Sequence, residues 1–175
     1  MIRVFLTGYM GAGKTTLGKA FARELNVPFI DLDWYIEERF HKSIRELFIE
    51  RGEASFRELE QNMLHEVAEF EDVIISTGGG TPCFFDNMEY MNEHGYTVFL
   101  DVHPDILFRR LCLATQQRPI LQGKTNEELH AFIEETLAKR ASFYTQAHYR
   151  FDGDHLESYR QIAEAVQQLR NLLEL

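Results

Sequence analysis

Apolar runs alternate with amphipathic stretches along the whole chain. The runs IRVFLT, PFIDL, DVIIST and YTVFLDV, and AHYRFDG near the end, are short and rich in β-branched or aromatic residues. Several are apolar without alternation, which reads as strands covered on both faces, the signature of a parallel sheet between helical layers. Between them, KTTLGKAFAREL and a long stretch reaching about Phe70 carry helical spacing. The closing segment does the same with Ile162, Ala163, Val166, Leu169, Leu172 and Leu173, a helix packed on the sheet rather than a partner-binding zipper. Ser43 with Glu46, and Thr125 with Glu128, fit the S/T-x-x-E capping box, and each predicts a helix start. The βαβ rhythm predicts an α/β fold of three layers (α/β/α) around a central five-stranded parallel sheet.

Composition narrows the picture. With 175 residues, 45% of them hydrophobic, the chain is expected to form one domain over 1–175. A net charge of −10 argues against a nucleic-acid partner, which would need a basic face. Cys83 and Cys112 are too few for a disulfide scaffold and point to a reducing compartment. No secretory pattern opens the chain, and no apolar run approaches the ~18 residues that span a bilayer, so a cytoplasmic protein without a membrane partner is expected. The seven histidines lack the spacing of a helical metal site, and no zinc is expected.

The chemistry begins at Gly8. The stretch GYMGAGKT satisfies G-x-x-x-x-G-K-[ST], after a predicted strand and at the opening of a predicted helix. In that context successive backbone N–H groups and the helix N-terminus face an anion, Lys14 reaches β- and γ-phosphates, and the Thr15 hydroxyl is placed for Mg²⁺. The motif does not distinguish motors, switches and kinases. Asp101 ends a strand, but His-Pro-Asp follows with a helix start at Pro104, and Asp101 reads as structural. Asp31 and Asp33 are the better pair, two acids at the carboxyl end of a strand where open α/β sheets bind ligands. One can hold the hydration shell of Mg²⁺ while the other accepts a proton from a substrate hydroxyl, although Asp33 can also be read as the cap of the helix WYIEERF.

Further along, Arg57 and Glu60 stand one helical turn apart and fit an intrahelical ion pair. The alternative is that Arg57 and Arg140, the latter near the end of a long helix, enter one cleft and clamp a carboxylate. Gly78-Gly79-Gly80 after VIIST suggests close approach of backbone to a ligand or a sharp bend at the strand end. The polar loop TQQRPILQGK between two helices fits a lid at about 114–124 with Arg118 turned inward.

Taken together, GYMGAGKTT, FIDLD, RGEASFRELE, STGGG, QQRPIL and RASFY, in that order over nearly the whole chain, resemble the shikimate kinase family of P-loop proteins related to nucleoside monophosphate kinases. The resemblance implies a P-loop kinase with a helical acceptor region at about 33–60, transferring the ATP γ-phosphate to the 3-hydroxyl of shikimate in chorismate and aromatic amino acid biosynthesis. It implies that Gly11, Ala12, Gly13, Lys14, Thr15 and Thr16 bind ATP, with Thr15 on Mg²⁺ and Asp31 near that ion through water. Asp33 would meet the accepting hydroxyl as its base, Arg57 and Arg140 the shikimate carboxylate, Gly79 a substrate hydroxyl, and Arg118 the transferring phosphates. A monomer is the implied state. Ile120, Leu32 and Ser142 depart from the family pattern, and no residue near Arg150 to His155 is assigned to adenine. A kinase of another hydroxylated acid, such as gluconate, and a nucleotide-sensing module without turnover are the rival readings; the latter would need neither the acid pair nor Arg118.

Overall fold

The structure is a computed structural model and describes residues 1–114 and 123–175. Five strands, β1 (Arg3–Thr7), β2 (Phe29–Asp31), β3 (Val73–Ser76), β4 (Tyr96–Asp101) and β5 (Tyr149–Asp152), form one sheet in the order β2-β3-β1-β4-β5. All four pairings are parallel. The helices are α1 (Lys14–Leu25), α2 (Leu32–Phe40), α3 (Ile44–Val67), α4 (Asn87–His94), α5 (Pro104–Ala114), α6 (Asn126–Tyr144) and α7 (Tyr159–Leu172), with a 3₁₀ turn at Thr81–Cys83.

The central strands β1, β3 and β4 bury both faces over most of their length, as their unbroken apolar runs require, while the edge strands β2 and β5 are partly exposed. One face, with Val4, Leu6, Val98 and Leu100, packs on Leu17 and Phe21 of α1, Leu107 of α5, Ile133 of α6 and Leu169 of α7. The other, with Phe5, Val73 and Ile75, packs on Ile36 of α2, Leu64 of α3 and Met91 of α4. Successive residues of β1 thus serve opposite layers, the period-two consequence of a pleated strand. The predicted three-layer α/β/α sandwich is the observed one.

Local signals set the helix ends. Ser43 Oγ accepts from the Glu46 N–H and the Glu46 side chain accepts from the Ser43 N–H, a complete capping box, while Thr125 caps the Glu128 N–H. Pro104 opens α5 as expected. Inside α3, Gly52 sits at φ 75°, a backbone state glycine adopts without strain, and kinks the helix between the capped segment and the one bearing Arg57. The sequence reading did not find α4. It has eight residues, and Asp86 before it makes no side-chain cap, its Oδ1 accepting instead from Gln61.

β1 and β3 lie side by side, yet the chain leaves β1 toward β2 and leaves β3 toward β4. Their carboxyl ends form a crevice where the connections diverge, the place where open α/β sheets hold ligands. The loop after β1 is Gly8 to Gly13, and the loop after β3 is Thr77 to Gly80.

Candidate active site

The loop after β1 closes on itself through the Ala12 N–H to Tyr9 O at 3.1 Å and delivers Gly13 as the residue before α1. Gly13 has φ 97°, and a side chain there would meet Leu156 Cδ1 at 2.6 Å, so both conformation and space demand glycine. Lys14 turns back along the loop, its Nζ donating to Gly8 O at 2.6 Å and Tyr9 O at 3.0 Å. Together with Thr15 and Thr16 this loop lines a cleft of about 340 Å³ that also includes Asp31, Asp33, Gly78, Gly79, Arg110 and Leu156.

Asp31 ends β2 and does two things at once. Its Oδ1 accepts from the Trp34 N–H and caps α2, and its Oδ2 accepts from the Thr15 hydroxyl at 3.0 Å. This corrects the sequence reading of the acid pair. The cap considered for Asp33 belongs to Asp31, and Asp33 lies in the first turn of α2 rather than on the strand, because β2 stops at Asp31. Asp33 still reaches the cleft. Withdrawal from water pushes its carboxyl up to about 6, the negative charges of Asp31 and Glu60 add to the rise, and Lys14 opposes it. A carboxylate so raised is a suitable proton acceptor near neutral pH.

The three glycines after β3 have their reason in what touches them. A methyl group at Gly78 would come within 3.0 Å of Asp33 Oδ1, one at Gly79 within 3.0 Å of Arg140 Nη1, and one at Gly80 within 2.8 Å of Arg57 Nη2. None of the three lies at positive φ, so close approach, not conformational freedom, is what calls for glycine here. Arg57 and Arg140, 83 residues apart on α3 and α6, are thereby set against consecutive bare Cα atoms. Arg57 lies 4.1 Å over the Phe84 ring and pairs with Glu60 Oε1 at 2.9 Å. The ion pair read from the sequence is present, and Arg57 and Arg140 both come up against the turn after β3, although neither lines the cleft around Lys14. Arg140 lies 5.5 Å over the Tyr9 ring and reaches the Tyr144 hydroxyl at 3.4 Å, with no carboxylate paired to it among the described residues. Tyr144, the tyrosine of RASFY, donates to Gly79 O at 2.6 Å, and burial pushes its hydroxyl up to about 12, so it remains a donor.

Four contributors, Glu60, Arg110, Leu156 and Glu157, were missed from sequence. Glu60 was seen only as a partner for Arg57, yet it is 1% exposed and also accepts from Thr81 Oγ1 at 2.8 Å. Its place on the apolar stripe with Phe56, Leu59 and Met63 was the available signal. Arg110 donates to the carbonyls of Gly11, Ala12, Gly153 and Asp154 and pairs with Glu157 at 3.0 Å, fastening the phosphate loop to the connection after β5. In its sequence context, FRRL on an amphipathic helix, nothing marks it. Leu156 and Glu157 line the cleft just beyond the stretch left unassigned for adenine. Asp101 is structural as expected, accepting from Arg150 Nε at 2.6 Å. The lid with Arg118 lies outside the described residues.

A parallel sheet, a strand–loop–helix phosphate cradle and a raised carboxylate facing the cradle lysine define the class, an ATP-dependent P-loop kinase. The pattern of the family described as shikimate kinase matches residues 10–170. A curated shikimate kinase of Bacteroides thetaiotaomicron is 74% identical over 175 residues, all of both chains. A crystal structure of the shikimate kinase from that organism superposes with a TM-score of 0.98 at 74% identity, covering 99% of each chain. The shikimate kinase from Acinetobacter baumannii, solved in complex with shikimate, superposes with a TM-score of 0.84 at 28% identity, covering 99% of this chain and 94% of that one. The chain belongs to the shikimate kinase family.

Proposed function

We propose that this family's reaction, transfer of the ATP γ-phosphate to the 3-hydroxyl of shikimate in chorismate and aromatic amino acid biosynthesis, is carried out here across the cleft between the loop after β1 and the loop after β3. The observation that carries this reading is the Gly78-Gly79-Gly80 turn, which presents Asp33, Arg140 and Arg57 beside a cleft that Lys14 also lines. Gly11 to Thr16 hold the nucleotide phosphates, and Arg110 with Leu156 borders the base. Arg57 and Arg140 take the substrate carboxylate in a two-arginine clamp, and Gly79 borders a ring hydroxyl. This turns the accepting hydroxyl toward Asp33.

Asp33 then accepts the hydroxyl proton as that oxygen bonds to the γ-phosphorus and the bond to the β-phosphate oxygen breaks, leaving ADP. Lys14, and Arg118 from the lid, neutralise the charge spreading over the transferring group. The Thr15 hydroxyl and Asp31 carboxylate, 3.0 Å apart and both oxygen donors, fit one Mg²⁺ held largely by water and phosphate oxygens. Bound there, the ion would neutralise phosphate charge and orient the γ-phosphate. The region 33–60 is the acceptor-binding part of a single domain, and the working form is a cytoplasmic monomer. Among the described residues no helix is long and apolar enough to cross a membrane.

The test is a coupled assay of ADP release with ATP, Mg²⁺ and shikimate, run beside gluconate and other hydroxylated acids. Shikimate is the expected acceptor, and Asp33→Asn is expected to lose turnover by at least about a hundredfold while still binding ATP. Wild-type turnover in that variant removes Asp33 from the role of base, and a better acceptor in the panel replaces shikimate.

A further inference from the structure

We propose that Thr81 is a positioning residue of the acceptor site, its hydroxyl orienting the Glu60 carboxylate that in turn holds Arg57. The inference rests on the assignment of Arg57 to the substrate carboxylate.

Glu60 is 1% exposed, and a charge so buried is tolerated only with partners on its oxygens. Both are engaged. Oε1 accepts from Arg57 Nη1 at 2.9 Å, and Oε2 accepts from Thr81 Oγ1 at 2.8 Å. Thr81 is itself fully buried and held at two further points, its N–H donating to Gly78 O at 3.2 Å and its carbonyl accepting from Asn87 Nδ2 at 2.9 Å. The hydroxyl therefore hangs from a fixed backbone.

A hydroxyl has one proton to donate. Asp33 Oδ1, Thr81 Oγ1 and Glu60 Oε2 all crowd the same bare side of Gly78, where an added methyl group would meet them at 3.0, 3.0 and 3.3 Å. The proton goes to Glu60. Among the described residues the Asp33 carboxylate receives no hydrogen bond and is left to accept from the substrate, while Glu60 is locked in the rotamer that presents Oε1 to Arg57. Arg57 depends on that presentation, since its buried Nε has no hydrogen-bond partner in the described structure. Its remaining holds are the Phe84 ring at 4.1 Å, the Phe48 and Phe56 rings at 5.5 Å each, and a longer contact of 3.7 Å to the exposed Glu53.

Thr81→Val keeps the shape and removes the proton, and Thr81→Ser keeps the proton. In steady-state assays Thr81→Val is expected to raise the shikimate KM about tenfold, with the ATP KM and kcat within about twofold, because the lost interaction serves ground state and transition state alike. Thr81→Ser should restore the wild-type KM. Added to Arg57→Leu, Thr81→Val should change KM by less than about twofold, because both act through one guanidinium. Thr81→Ala, which opens space instead of inserting a methyl group, gives the same KM change if the loss is that of the hydroxyl and not a packing defect, and thermal unfolding of each variant separates the two. A shikimate KM within about twofold of wild type in both Thr81→Val and Thr81→Ala, a failure of serine to rescue, or additivity with Arg57→Leu overturns the proposal. If Arg57→Leu alone leaves the shikimate KM unchanged, the carboxylate clamp falls and Thr81 with it. If Arg57→Leu raises it steeply and Thr81→Val does not, only the role of Thr81 falls.

Discussion

At Asp33 function and stability pull in opposite directions. Its carboxyl, drawn out of water and facing Asp31 and Glu60, is pushed up to about 6. If its ionised form is the base, kcat/KM for shikimate falls about tenfold per pH unit below pH ~6, because that parameter reports the free enzyme's essential groups. A pH series of initial rates checks this, and a flat profile down to pH 5 contradicts it. The same shift has a stability sign. The folded state binds this proton more tightly than the unfolded chain does, so stability rises as pH falls from above about 6 toward the ordinary carboxylate range, and the ionised group weakens the fold at neutral pH. Asp33→Asn should therefore unfold at higher temperature than wild type at pH 7.5, by roughly 4–8 °C for a gain of about 2 kcal/mol, while losing turnover. Calorimetry at pH 7.5 and 5 reads both parts, and the gain should shrink at the lower pH.

At the scale of elements, the turn after β3 is where the acceptor side is assembled, and its glycines act by having no side chains. Gly80 has ordinary helical-region φ/ψ, so Gly80→Ala leaves the backbone unstrained and pushes only on the Arg57 guanidinium, 2.8 Å from the added methyl group. Arg57 is pinned between Glu60 and the Phe84 ring and yields at the expense of its position. The shikimate KM should rise about tenfold, with the ATP KM unchanged and the melting temperature within about 3 °C, as steady-state kinetics and a thermal scan would record. The triple glycine was legible as a place of either close approach or a sharp bend at a strand end, and the structure shows the former. What approaches came only from the family resemblance, since Asp33, Arg57 and Arg140 stand on three helices and spacing left the arginine pair as one of two alternatives. Element ends followed local chemistry, as Ser43 and Pro104 show, and failed where that chemistry was weak, as at α4 with its uncapped start. At the end of β2 two short-range rules competed for the acids. The strand stopped two residues sooner than FIDLD suggested, so Asp31 took the cap and Asp33 entered the helix.

Across the whole molecule, Arg110 joins parts that no local pattern connects. Its side chain is 14% exposed and bridges the phosphate loop, 98 or 99 residues before it, to carbonyls 43 and 44 residues after it. Arg110→Ala leaves four carbonyls without this donor. It should raise the ATP KM by about tenfold or more and lower the melting temperature by roughly 4–8 °C, with the shikimate KM nearly unchanged, in kinetics with either substrate varied and a thermal scan.

The sequence by itself determined the class of fold, the phosphate-loop motif at Gly8 to Thr15, the presence of two acids where the second strand ends, of which Asp31 alone lies on it, and a place of close approach at the glycines after the third strand. Each of these is a property of neighbouring residues, set by backbone geometry and hydrogen bonds within a few positions. The tertiary structure decided which distant charges meet at the turn after β3. It placed Arg140 on Gly79 and Arg57 on Gly80, withdrew Glu60 from water, gave Thr81 its carboxylate and used Arg110 as the tie between cradle and last strand. Those contacts depend on how helices pack across a twisted parallel sheet, and the pairing of side chains scores of residues apart leaves no periodic trace in the order of amino acids.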